Sequence, residues 1–190
     1  GNDATLLLAA DDGDDNADYW RFLGGTAGQL DIANYATGSW VNHMTINGSG
    51  HVTTPQQPYL QVGITGNVSV SANNSHEIVF DQENYDTANA YNTSNGRYVV
   101  PVTGDYLCTL DVQYTGAVNG FHLGIAVNST TIGTNFDIWN HTGDNVRGDN
   151  IARVIRVAAN GSNYISFYTY STTGGTLEVN RTKATIKFLG

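Results

Sequence analysis

The 190-residue sequence predicts an all-β protein of antiparallel strands. Three observations carry that expectation. Apolar and polar residues alternate with a period of two along much of the chain, and no segment sustains a 3.6-residue apolar period. Glycine, asparagine, threonine, serine and tyrosine are abundant, which suits short strands joined by tight turns, because Gly and Asn supply positive φ while Thr and Tyr fill pleated surfaces. Hydrophobic residues make up 40% of the chain against 13% charged, a balance that builds a core and is unlike a disordered chain.

In chain order, residues 1–54 hold the strand-like pieces TLLLA, DYWRFL, QLDIAN and SWVNHMTING, separated by the turn sequences GGTAG, ATG and NGSG. These pieces carry too few apolar residues to make a core alone. Three copies would bury Trp20, Leu30, Ile32, Trp40, Val41 and Ile46 around a common axis, so this part is expected to be a fibre stem. Residues 55–58 form the expected linker, since Pro55 and Pro58 block ladder hydrogen bonds and stiffen the connection.

Residues 59–190 hold the strong strands and are expected to form a compact head. In DYLCTLDVQYT, Tyr106, Cys108, Leu110, Val112 and Tyr114 share one face. In FHLGIAV, Phe121, Leu123, Ile125 and Val127 do the same, and in RTKATIKFLG the inward set is Ala184, Ile186 and Phe188. Such alternation means antiparallel strands with one face on a core. The single cysteine, Cys108, sits mid-strand as a buried small hydrophobe, so no disulfide framework is expected.

The stretch NYISFYTY puts Ile165 and Phe167 on the core face, which sends Tyr164, Tyr168 and Tyr170 to the opposite one. A second chain is the expected cover for such an aromatic row, making these three tyrosines the expected trimer interface. A tyrosine-rich exposed face, or a second layer within the chain, is the alternative.

Charge excludes some partners. The net charge is −9: residues 1–55 hold seven acids and one base (−6), and residues 59–190 ten acids and seven bases (−3). Neither part offers a basic stripe, so nucleic acid is not an expected partner. No apolar run reaches membrane-spanning length, so membrane insertion is not expected, and no signal peptide is visible. A start at Gly1, directly before an apolar strand, reads as a fragment of a longer protein.

No catalytic constellation is visible: no Gly-x-Ser-x-Gly, His-Glu-x-x-His, Cys-x-x-Cys or Gly-Lys-Ser/Thr. An enzyme is not expected. Five aspartates crowd DDGDDNADYW, namely Asp11, Asp12, Asp14, Asp15 and Asp18. A hand-like calcium loop counted from Asp11 would need Gly at the sixth position and Glu at the twelfth, where Asn16 and Phe22 stand. The motif fails, and the expected reading is a solvated turn without a cofactor, calcium remaining the alternative ligand.

The best binding surface is expected in STTIGTNFDIWNHTGDNVRGDN, read as a long loop with weak strand signal. Phe136, Asp137, Trp139, Asn140 and His141 offer an aromatic platform and polar groups suited to a sugar, with Asn119 in TGAVNGF as a neighbour. The alternative is that Phe136, Ile138 and Trp139 form the loop's own small core.

Two resemblances extend these readings. The segment IVFDQENYDTANAYNTSNGRYVVPVTGDYLCTLDV, with Asn92, Gly96, Tyr98, Pro101, Gly104 and Tyr106 in the order Asn-x-x-x-Gly-x-Tyr-x-x-Pro-x-x-Gly-x-Tyr, resembles the globular head of the complement component 1 subunit q and tumour-necrosis-factor-like jelly rolls. IAVNSTTIG and TKATIKFLG are similar to that family's central strand and turn and to its closing strand. The resemblance covers roughly residues 60–190 and implies a ten-stranded jelly-roll sandwich assembled as a homotrimer. The amino-terminal part, from ATLLLAADDGDDNADYWRFLGG to MTINGSGHVTTP, resembles bacteriophage tail-fibre stems. Together these imply a virion tail-fibre protein, extracellular, that attaches through a trimeric head to a host-surface receptor, a glycan or a protein. A purely structural fibre segment and a secreted lectin are the alternatives.

Overall fold

The computed structural model describes residues 2–129 and 145–190, with the backbone alone over 136–140. All regular structure among them is strand, apart from one short 3-10 turn. The chain divides into two units, Gly1–Gln57 and Pro58–Gly190.

The first unit is one antiparallel sheet, a meander of β1 (Ala4–Ala9), β2 (Tyr19–Gly24), β3 (Leu30–Asn34), β4 (Val41–Ile46) and β5 (Val52–Thr53) in that order. All four strand-like pieces of the sequence fall on these strands. The turns use the residues their geometry demands: Asp11, Gly13, Gly28, Gly38 and Gly50 have positive φ.

The second unit begins with β6 (Tyr59–Gly63), β7 (Val68–Val70), β8 (Asn74–Glu77), β9 (Gln82–Asp86), β10 (Tyr91–Asn92) and β11 (Arg97–Val99). It continues with β12 (Gly104–Val118), β13 (His122–Val127), β14 (Phe136–Asn140), β15 (Val146–Val157), β16 (Tyr164–Ser171), β17 (Gly175–Leu177) and β18 (Lys183–Phe188). Two antiparallel sheets result. One runs β15-β12-β18-β6-β9, with β17 and then β7 taking up the far end of β12. The other runs β10-β11-β16-β13-β14, with β8 pairing the far end of β16.

The core lies between these sheets, and the alternating strands supply it. Tyr106, Cys108, Leu110, Val112 and Tyr114 of β12 are all buried, and Phe121, Leu123, Ile125, Ile165 and Phe167 face them from the other sheet. Edge-on ring pairs lock the layers, Tyr114 against Phe121 at 5.7 Å and Phe80 against Phe167 at 5.9 Å between centroids. Tyr98 and Tyr106 are fully buried with centroids 6.3 Å apart.

The two motif glycines act differently. Gly96 has φ +74°, and a side chain there would meet the Ile78 carbonyl at 2.9 Å. Gly104 makes no left-handed turn: a Cβ would lie 2.6 Å from both the Gly190 carbonyl and the Phe188 ring. It is small so that Phe188 and Gly190 can pack on β12.

Candidate functional site

One end of the head is built around Asn119, in the turn from β12 to β13. Its Oδ1 accepts from the Asn145 amide at 2.9 Å, its own amide donates to Thr173 Oγ1 at 3.1 Å, and its carbonyl accepts from Thr172 N and Ser171 Oγ. Gly120 beside it has φ +55°, and Thr172 occupies the space a side chain would need. Asn119 therefore fastens three loops together, a structural duty beside the recognition expected of it.

The long loop of the sequence reading contains a strand. Phe136–Asn140 is β14, an edge strand that pairs Trp139 with Leu123 and Asn140 with His122. The side chains of Phe136, Asp137, Trp139 and Asn140, and all of His141, lie outside the described residues. Next to β14, His122 packs on Tyr170 with ring centroids 5.3 Å apart, and burial holds its imidazole pKa below the ordinary value.

Sequence reasoning missed a cleft of about 830 Å³ formed by Ala88–Thr93, Val99–Pro101 and the turn Ala159–Gly161. Asp86 shapes one wall: its carboxylate accepts from the amides of Ala88 (3.1 Å), Ala90 (2.7 Å) and Tyr91 (2.7 Å). Asn160 shapes the other, accepting at Oδ1 from Ser162 N at 3.0 Å and Asn163 N at 2.7 Å. Among the described residues, no charged side chain lines it. The residues are those of ordinary connectors, and only the bend of AYNTSNG back against VVP signalled a concavity.

A second cleft, of about 480 Å³, lies at Asp111, Gln113, Arg147, Asp149, Arg181 and Lys183. Glu178 engages both arginines, Arg181 at 3.6 Å and Arg147 at 3.9 Å, and Arg147 also donates to the Thr115 carbonyl at 2.9 Å. Its charges are balanced locally.

Two of the three tyrosines of the expected trimer interface already find partners within the single chain. Tyr168 is fully buried within the single chain and donates its hydroxyl to the Ser129 carbonyl at 2.7 Å. Burial raises its phenol pKa to about 12. Arg97 covers Tyr164, its guanidinium 4.4 Å from the ring centroid while pairing with Glu77 at 3.6 Å. Ile165 and Phe167 face the core, and Tyr168, on the opposite side of β16, is covered by its own chain.

A different face is open. On the outer side of β15-β12-β18-β6-β9, one row runs Ala152, Thr109, Thr185, Gln61, Tyr85 without a charge. The adjoining row brings Val154 beside Leu107. Thr109 and Thr185 share a hydroxyl hydrogen bond of 2.6 Å, whereas Val154 and Tyr85 are 56% and 61% exposed.

In the aspartate turn, Asp15 caps the 3-10 turn Asn16–Asp18. Its Oδ1 accepts from Ala17 N at 2.7 Å, and Asp18 Oδ2 accepts from Asp15 N at 3.4 Å. Asp14, Asp15 and Asp18 bring carboxylate oxygens within 4.8 Å of one another, all in exposed or half-exposed positions. Asp11 and Asp12 stand outside that group.

No protein-family model matches the chain. The uncharacterized protein YqcC of Bacillus subtilis (strain 168) is 25% identical over 170 residues, covering 84% of this chain and 45% of that protein. The chain thus spans less than half the length of the curated relative it matches. Among solved structures, murine APRIL at pH 8.0 aligns with a TM-score of 0.54 at 12% identity, over 70% of this chain and 99% of that one. The PRD1 vertex protein P5 aligns with a TM-score of 0.52 at 14% identity, over 70% and 98%. The head shares the antiparallel jelly-roll fold of these structures. No helix among the described residues is long and apolar enough to cross a membrane.

Proposed function

We propose that this chain is a homotrimeric virion fibre module whose jelly-roll head attaches to a host-surface glycan. The observation that carries self-association is the uncharged outer row from Ala152 to Tyr85, with Val154 and Leu107 beside it. The row is bordered by Lys187 on one side and by Asp111 and Lys183 on the other, an uncharged centre with a charged rim that a like surface can cover. The similarity of fold to a vertex protein supports a virion setting. Three heads on one axis would multiply a weak individual affinity by engaging together.

The ligand chemistry follows from the uncharged 830 Å³ cleft. An acidic sugar would find no cation in its lining, whereas a neutral polyhydroxyl ligand meets the amides of Asn89, Asn92 and Asn160 and the hydroxyl of Thr93. The loop end with Trp139 and Asn119 is the competing surface.

Purified protein is expected to compete with the parent virus for adsorption to susceptible cells. Thr93→Trp would abolish competition if the cleft is the site, and Trp139→Ala if the β14 end is. Competition that survives both would place the site elsewhere on the chain, and its absence from the unaltered protein would leave a structural fibre segment without receptor binding.

A further inference from the structure

The larger cleft of the head has a floor and a rim of different chemistry. Ala88, Ala90, Val99 and Ala159 are half-buried along it, and Ala90 and Ala159 rest on the core of the head. The floor is therefore aliphatic and built of small side chains. Among the described lining residues the one aromatic is Tyr91, which is 8% exposed and turns its hydroxyl inward to accept from the Phe80 amide at 3.0 Å. No ring face among them lies open for the flat side of a sugar to stack on.

The rim is rich in donors. Asn160 Oδ1 already accepts from Ser162 N, Ser162 Oγ and Asn163 N, so that acceptor is saturated. Its Nδ2 uses one hydrogen on Asn163 Oδ1 at 3.1 Å, and the second is left for a ligand. Asn92 Oδ1 accepts from the Ser94 amide at 2.8 Å, which leaves both Nδ2 hydrogens to donate.

Donors over a methyl-sized floor fit a ligand that carries a strong neutral acceptor beside a methyl group. A plain hexose brings hydroxyls and no methyl. An acetamido group brings a carbonyl oxygen and a methyl on one carbon, with an N–H for Asn89 or Thr93 at the mouth. We propose that the cleft recognises the acetamido group of a 2-acetamido sugar, its methyl on the aliphatic floor and its carbonyl oxygen on the Asn92 and Asn160 amides. The inference deepens the glycan-attachment reading and rests on it. Burying one methyl is worth about fourfold in affinity, and one hydrogen bond about as much again.

The test titrates the whole chain with the methyl glycosides of N-acetylglucosamine and N-acetylgalactosamine, each beside its parent hexoside, and follows saturation-transfer NMR. Roughly tenfold tighter binding of the acetamido glycosides is expected, with the strongest transfer at the acetyl methyl. Asn92→Asp keeps an acceptor for Ser94 N and removes the donors, so it should weaken the acetamido glycosides several-fold while circular dichroism stays unchanged. Equal affinity for acetamido and parent glycosides, transfer centred on ring protons, binding indifferent to Asn92→Asp, or no transfer at all would each overturn the proposal. Adsorption is read separately. Competition with the parent virus that persists beside any of those results leaves the attachment reading standing, whereas acetamido binding without competition removes that reading alone.

Discussion

The hydroxyls of Tyr114 and Thr169 meet at 3.0 Å in the buried space between the two sheets of the head. Tyr114 comes from β12 and Thr169 from β16, and Thr169 also reaches the His122 carbonyl at 3.3 Å. This polar clasp fixes how the layers register, since a buried hydroxyl without its partner is costly. Tyr114→Phe is expected to lower stability by about 0.5–1.5 kcal/mol in denaturant titration, because it removes one buried hydrogen bond while Thr169 keeps the His122 carbonyl. Replacing both residues, as Tyr114→Phe with Thr169→Val, should cost less than the sum of the single changes.

Two glycines on β12 make a matched pair for close packing. Gly104→Ala would drive a methyl into the Gly190 carbonyl and the Phe188 ring and is expected to cost roughly 1–3 kcal/mol. At Gly116 nothing among the described residues lies within 4 Å of a Cβ, and φ is not in the left-handed region. Gly116→Ala should be neutral or slightly stabilising. Thermal unfolding of the two variants decides it.

Acid should weaken the head before it weakens anything else. Burial lowers the imidazole pKa of His76, with Glu77 opposing, and burial lowers that of His122. With folded values below the ordinary 6.5, their contribution is complete above pH 6.5 and is lost as pH falls through the folded values. His76→Gln with His122→Gln is expected to flatten the fall in melting temperature just below pH 6.5.

In the first unit the acid response belongs to Asp31. Burial works to raise its pKa, but hydrogen bonds from Thr45, Gln29 and Asn42 and the charge of Arg21 outweigh that and leave it lowered. Its stabilisation is present above 3.8 and lost as pH drops toward the lower folded value. Asp31→Asn should remove that strongly acidic step from a circular-dichroism titration.

Two further substitutions separate the candidate self-association faces. Val154→Asp puts like charges together around a trimer axis, at a cost of several kcal/mol, and is expected to yield monomeric heads by light scattering. Tyr164→Ser loses the Arg97 stack, worth about 0.5–1 kcal/mol, and should leave the assembly intact. Chelator should leave the mass unchanged as well, because the aspartate turn already uses Asp15 and Asp18 as its own caps.

Much of the head was legible because a period of two is a local signal. Tyr106 to Tyr114 face inward as the alternation requires, as do Ile165 and Phe167. Whether an outward side chain stays in water is not local. Tyr168 lies on the expected face, yet it is buried and its hydroxyl donates to the carbonyl of Ser129, far away in sequence. Phe136–Asn140 reads as loop because an edge strand of five residues carries little alternation, and its pairing with β13 supplies what pattern does not. The neutral cleft was illegible for a related reason: its walls are turns, whose side chains serve the backbone before any ligand.

Strand β18, which ends at Phe188, lies between β12 and β6, so the first strand of the head pairs with its last: Leu60 sits opposite Ile186. During synthesis the central sheet must wait, its apolar edge of β6 unpaired, until nearly the whole head has emerged. Loop closure over that span is slow, and exposed strand edges are where chains stick to one another. The moment of greatest aggregation risk therefore falls between translation of β12 and translation of β18. A ribosome stalled in that interval would hold a head with half its core built and nothing to close it.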